Sequence, residues 1–285
     1  MDVAELIVGA GGAAHWKQLR ARVSQRALDK AVREGRVMRR GRGLYTLASM
    51  TAVSLARQLG GVVSHLSAAE AQNLGVLVPC TEVDITVSKS ATRVDPPPGV
   101  RLHYGSISGA DLAAGMTNAL ATVLDCARTC DFPQALAVID AAVRAEKVDL
   151  AAVADVAKTA RGPGSARLRK VVNACDPRAA SAMESLLRGL LIAAGITCFQ
   201  PQFEVFSGGS RIATCDLGDA ASRVLLEADS FSWHGSASAL ARDARRYDEL
   251  VALGYVILRF TWEHLLPDAS WVVETVRRVL VLRAA

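Results

Sequence analysis

The sequence predicts a mixed α/β (α+β) chain, and three observations predict it. Residues 1–47 read as three short helices followed by a basic hairpin. Residues 112–160 carry Ala, Leu and Val at helical spacing. From residue 176 onward the pattern reads helix, three strands, helix, strand, with acids near the strand ends. The expected organisation is a small basic head over 1–48, a mixed then mostly helical middle region over 49–175, and an αβββαβ domain over 176–285.

In the head, residues 3–9 are apolar and 15–20 fit a short helix. Ser24 offers a cap for a helix over 25–34, with Ala27, Leu28, Ala31 and Val32 at helical spacing and Gly35 as the stop. Residues 37–47 form two strand-like segments around a Gly/Arg turn. This is the order of a winged helix-turn-helix, whose third helix enters the major groove. Gln25, Arg26, Asp29, Lys30 and Arg33 fall on the polar side of that helix. Arg39, Arg40 and Arg42 on the wing are placed to neutralise phosphates. Residues 1–47 hold ten Lys or Arg against four acids, whereas the rest of the chain is near neutral. Such a lopsided charge predicts that the head meets a polyanion, double-stranded DNA. The competing reading is a solvated basic face on a protein-interaction module.

In the middle region, 54–59 and 67–74 read as helices, and 82–88 and 100–104 as strands separated by the stiff turn at 95–99. His65 and His103 read as isolated structural residues. The helical stretch over 112–160 breaks near 131–133 and 148–150, and Gly162-Pro163-Gly164-Ser165 forms a joint before a further short helix.

Composition excludes several classes. The hydrophobic fraction is 51%, yet no apolar run approaches the roughly 20 residues needed to span a bilayer. Residues 1–12 lack a basic leader ahead of their apolar stretch. The expectation is a soluble, cytoplasmic protein with no membrane partner. The six cysteines are scattered, without CxxC pairs or a Cys/His quartet, so neither zinc nor a disulfide framework is expected. No GxxxxGK[ST] loop supports nucleotide handling.

The C-terminal stretch carries the chemistry. A helix over 181–194 has Met183, Leu186, Leu187, Leu190 and Leu191 on its apolar side, and Glu184 borders that stripe. Strands are expected over 203–206, 211–217 and 223–230, a helix over 237–253 and a strand over 255–260. Asp216 is expected to end one strand. Glu227 and Asp229, two apart, share a face of the next. Pairing across the 218–222 turn brings Asp216 toward Glu227, with Glu184 approaching from the helix. Converging carboxylates repel unless a cation joins them or one takes up a proton. Phosphodiester hydrolysis needs such a cation, Mg²⁺ or Mn²⁺. The bland alternative is solvated acids at strand ends.

Two resemblances add to this reading. Residues 3–105 resemble the antitoxin component of AbiE-type toxin–antitoxin systems, the AbiEi family, in the winged-helix order, the GRGLYTL wing, VVSHLSAAEAQNLGV and VDITV. That resemblance implies DNA binding and autoregulation, and adds a cognate toxin to the expected partners. Residues 178–275 resemble the PD-(D/E)XK domains related to very-short-patch-repair endonucleases. The matching features are the Asp216 strand, LLEADSFSWHG, ALARDARRYDELVALGY and VILRFTWEHL. This implies Mg²⁺-dependent DNA cleavage, with Asp216 and Glu227 as ligands and Glu184 as a supporting acid. One departure stands out: the motif lysine, two residues after the second acid, is Asp229 here. His234 is the expected stand-in, and Arg242, Arg245 or Arg246 the expected substitutes for its charge. Without a working substitute the domain would bind DNA without cutting it, leaving a regulator or antitoxin. A homodimer suits a helix-turn-helix reader of symmetric sites, but nothing in the sequence forces one.

Overall fold

The computed structural model describes residues 2–10, 13–34, 36–41, 43–47, 52–93, 95–97, 99–229 and 237–284. The chain is mixed α/β, with fourteen helices and three sheets among the described residues. None of these helices is long and apolar enough to cross a membrane. Packing divides the chain into two compact units, Met1–Asn73 with Val78–Cys126, and Leu74–Leu77 with Ala127–Ala285.

The first unit begins with α1 (Val3–Gly9), β1 (Ala13–His15), α2 (Trp16–Leu19), α3 (Gln25–Arg33), β2 (Val37–Gly41) and β3 (Leu44–Leu47). Three helices and a hairpin follow one another as the sequence predicts. The strand β1 is an addition: three residues are too few to show a period, and it pairs antiparallel with β3 to give the order β1-β3-β2. The cap on α3 forms as expected, Ser24 Oγ accepting from the Ala27 amide at 3.2 Å. Val3, Ile7, Leu19, Leu28, Ala31, Val37 and Tyr45 make one buried cluster, leaving the polar side of α3 in water.

The same unit continues with α4 (Ala52–Gln58), β4 (Gly61–Val63), α5 (His65–Ala71), β5 (Val83–Ser88), β6 (Val100–Gly105), α6 (Gly109–Ala114) and the start of α7 (Ala119–Thr129). β5 pairs antiparallel with β4 and parallel with β6. Leu55, Ala56, Val63, Ala68, Ile85, Val87 and Val100 form the core beneath this sheet.

The second unit contains α8 (Phe132–Arg144), α9 (Leu150–Thr159), α10 (Ser165–Ala174), α11 (Ala182–Ala193), β7 (Gln200–Ser207), β8 (Ser210–Asp219), β9 (Val224–Asp229), α12 (Ala237–Ala252), β10 (Val256–Thr261), α13 (Trp262–Leu265) and α14 (Ser270–Ala284). Its sheet has the order β10-β9-β8-β7, antiparallel except for the β10–β9 pair. A parallel neighbour needs a crossover, and α12 supplies it. Two apolar layers cover the sheet. Met183, Leu186, Leu187 and Leu191 of α11 pack with Leu217, Val224, Leu226 and Phe260. Leu250 of α12 packs with Cys215 and Leu225. Gly189 lets α11 lie close on α8, because a methyl there would collide with Pro133.

The β8 strand differs from expectation. It runs past Asp216 to Asp219, paired as Leu217↔Leu226, Gly218↔Leu225 and Asp219↔Val224, so Asp216 lies inside the strand rather than at its end. Gly218 permits this, since any side chain there would be driven into the Phe203 ring. The terminal helix α14 is a further addition beyond the expected αβββαβ order.

Candidate functional site

The acids of the second unit are placed by three elements. Glu184 sits in the first turn of α11, which Ser181 caps through Oγ to the Glu184 amide at 3.1 Å. The side chain is 5% exposed. Its Oε2 accepts from the Ala180 amide and from Gln202 Nε2, both at 2.8 Å. Asp216 Oδ2 accepts from the Ala228 amide at 2.7 Å. Ala228 lies between Glu227 and Asp229 on β9, so one backbone bond docks the first strand acid beside the other two. The structure thus brings Glu184, Glu227 and Asp229 within electrostatic range of Asp216.

Burial raises Asp216 and Glu227. Desolvation pushes Asp216 up to about 7, against the Ala228 bond that lowers it; the charges of Glu227, Glu184 and Asp229 push it further. Glu227 is 7% exposed and is also raised, burial outweighing the nearby Arg246 guanidinium. Glu227 Oε1 is buried without a hydrogen-bond partner, and Arg246 Nη2 lies 3.6 Å from it, an ion pair without a bond. Burial chiefly pushes the neighbouring Cys215 thiol up to about 12, and the charge of Glu227 adds to it. A buried carboxylate oxygen left unpaired costs on the order of 1–3 kcal/mol or more, unless something fills the place.

Among the described residues, no three acids, histidines or cysteines form a ready-made metal cage. The donors do suit a hard cation that keeps most of its own water. Mg²⁺ is ordinarily held by one or two carboxylates plus waters and phosphate, and Asp216 and Glu227 are the carboxylates such a cation would draw on.

The expected charge substitutes separate. Arg246, part-buried on α12, faces Glu227 and donates from Nη2 to Tyr247 Oη at 3.0 Å. Arg242 is exposed, and Arg245 is spent on an exposed pair with Glu249 at 2.9 Å. His234 lies outside the described residues. Asp229, standing where the motif lysine is expected, is bonded by Arg259 Nε at 2.8 Å.

Sequence reasoning missed three features. Arg259 is one. Gln202 is another: it stands opposite Asp216 in the ladder, between Pro201↔Leu217 and Phe203↔Cys215, with φ of 52°. A non-glycine residue held there in a strand is strained, and strain of this kind collects at functional sites. The third lies in the first unit. His65 and His103 are not isolated but stacked, with centroids 3.5 Å apart. His103 Nε2 is 2.8 Å from Asp84 Oδ1 and His65 Nδ1 is 2.9 Å from Ser64 Oγ. Burial, then the neighbouring His103, pushes His65 down to about 4, so it is neutral at pH 7.

On the head, α3 exposes Gln25, Arg26, Asp29, Lys30 and Arg33. Gln25 Nε2 donates to Asp29 Oδ1 at 2.8 Å, Arg33 Nε to the Asp29 carbonyl at 3.4 Å, and Lys30 lies 3.7 Å from Glu34. Arg39 is exposed on β2. The Arg40 side chain and all of Arg42 lie outside the described residues.

No family model matches the chain. Over 138 residues it is 30% identical to two proteins of Mycobacterium tuberculosis, each named only as uncharacterized, one from strain CDC 1551 / Oshkosh and one from strain ATCC 25618 / H37Rv. The match covers 48% of this chain and 51% of each relative, so the chain spans about half the length of the curated relatives it matches. It is similar to them over that stretch, and its chemistry rests on its own side chains.

Proposed function

We propose that this chain acts on duplex DNA, its basic head docking on the backbone and its C-terminal domain hydrolysing a phosphodiester with Mg²⁺ or Mn²⁺. One observation carries the reading: Asp216 is docked between Glu227 and Asp229 by the Ala228 amide, while Glu227 Oε1 stays buried and unbonded. Asp216 and Glu227 are the residues to hold the cation. When bound, it polarises a phosphate oxygen and acidifies a water. Glu184, fixed by Ala180 and Gln202, adds a further carboxylate within electrostatic range of Asp216. Arg246 adds positive charge where phosphate arrives.

The test is incubation of the purified 285-residue chain with plasmid and Mg²⁺, beside Asp216→Ala and Glu227→Ala. Cleavage by the first protein alone supports the reading; equal nicking by all three assigns the activity to a contaminant. In the head, Arg26→Ala and Arg39→Ala should each flatten the dependence of log K on log salt by about 0.9, one phosphate contact apiece, at any DNA sequence. A gel-shift series in KCl reads this directly.

A second reading has its own observation. With Asp229 in the lysine's place and Arg246 set against Glu227, the guanidinium can itself be the resident cation of a silent domain. The chain would then be a DNA-binding regulator, or an antitoxin of AbiEi type with a cognate toxin. A sharp footprint with no cleavage across several divalent metals favours this reading.

A further inference from the structure

We propose that Arg259 is the phosphate-holding arm of the acid site, and that Asp229 is its positioning residue rather than a ligand for the cation. The inference rests on the phosphodiester reading and names how that site would grip its substrate. Strand β10 runs parallel to β9, with Arg259 level with Glu227 and Thr261 level with Asp229. Arg259 donates from Nε to Asp229 Oδ2 at 2.8 Å, its one hydrogen bond among the described residues. A guanidinium carries five donors in a rigid fork that matches the oxygens of a phosphate. Binding Asp229 through Nε fixes the fork while leaving its terminal nitrogens to a ligand, and the side chain is 44% exposed.

A second cation lies on the same support. The Arg246 and Arg259 guanidinium carbons each lie 4.9 Å from the centre of the Tyr247 ring. One aromatic ring therefore sets two guanidiniums beside the carboxylates, Arg246 toward Glu227 and Arg259 toward Asp229. Positive charge is thereby restored from the neighbouring strand, at the position where the motif lysine is replaced by an acid. An acid at 229 is then no accident: it recruits and aims the arginine. Acids alone would repel a phosphodiester; acids that hold a cation and flank two guanidiniums attract one.

Two measurements on the 285-residue chain test this with a short labelled duplex: the salt dependence of binding with a fixed concentration of Ca²⁺ in place of Mg²⁺, and the single-turnover cleavage rate as Mg²⁺ is titrated. Arg259→Ala should flatten the salt dependence by about 0.9 and slow cleavage by about 10²- to 10³-fold, the usual loss for one pre-set donor. Arg259→Lys should keep the salt slope, retaining the charge, but lose most of the rate with the fork. Asp229→Asn should slow cleavage without moving the Mg²⁺ concentration for half-maximal rate. The double variant should be no slower than Arg259→Ala. An unchanged salt slope in Arg259→Ala overturns the proposal, as does a Mg²⁺ requirement raised tenfold or more in Asp229→Asn. A parent protein that never cleaves sinks the hydrolytic reading instead, and the salt slope still decides the role of Arg259.

Discussion

Glu227→Gln should reduce Mg²⁺-dependent cleavage more than about 100-fold, since even outer-shell partners of a metal site are worth 10- to 100-fold. The same substitution should leave the fold intact. Glu227 is almost wholly buried and its carboxyl is raised by burial, so the site favours a neutral group there. Glutamine has the shape of the protonated acid and carries no charge. Activity and stability are therefore expected to move apart: cleavage falls while the urea midpoint stays or rises. A residue kept only for structure would do the reverse. Loss of cleavage together with a lowered midpoint would reassign Glu227 to the core.

The largest loss of stability is expected elsewhere, at Asp140 on α8. This residue is 0% exposed and accepts from Ser185 Oγ at 2.7 Å, Arg188 Nη2 at 2.7 Å and the Asp176 amide at 2.9 Å. Arg188 also donates from Nη1 to the Ala174 carbonyl at 2.6 Å, while its Nε has no partner. Burial raises Asp140 even beside that arginine, a sign that desolvation is the dominant cost. Asp140→Ala strands a buried guanidinium and should destabilise the chain by about 3–5 kcal/mol, whereas removing both charges with apolar residues costs far less. Urea unfolding of Asp140→Ala beside Asp140→Leu/Arg188→Met checks it. Equal losses would mean that packing, not charge, holds this joint. The joint bears on function because it fixes α11, which carries Glu184, against α8.

Periodicity made the long elements legible. The stripe on α11, the Ser24 cap of α3 and the apolar run of β9 are local signals, and the fold follows them. The nearness of Asp216 to Glu227 and Asp229 was legible because hairpin pairing and strand alternation are also local rules. What sequence could not show is where distant residues meet. Arg259 lies in VILRF, an apolar strand whose single charge is the one hint that it faces something polar. Its partner Asp229 is set by a parallel register that depends on a crossover helix. His65, which opens α5 just after β4, meets His103 of β6 because β4 and β6 flank β5 in one sheet, which no spacing in the sequence encodes. The φ of Gln202 leaves no trace in residue type. Helix α14 did carry a readable stripe, Val272 and Val276 four apart, but an order closing on β10 gives no reason to seek it.

The carboxyls also set a pH dependence. Asp216 rises from 3.8 unfolded to about 7 folded. Between those values the folded chain binds more protons than the unfolded chain, so stability falls as pH rises through the window. Above pH 7 the ionised, crowded acids cost the fold about 1–3 kcal/mol, allowing for partial exposure. Asp216→Asn should remove that cost at pH 8 and make little difference at pH 4.

The central claim, that Asp216 and Glu227 form a seat for a divalent cation, is tested most directly by thermal unfolding at pH 8 with and without Mn²⁺. The parent chain should gain about 2.7 kcal/mol at a metal concentration one hundred times Kd. Asp216→Asn should start higher without metal and gain almost nothing from it. An unmoved midpoint in the parent chain, or an equal rise in both proteins, would contradict the account.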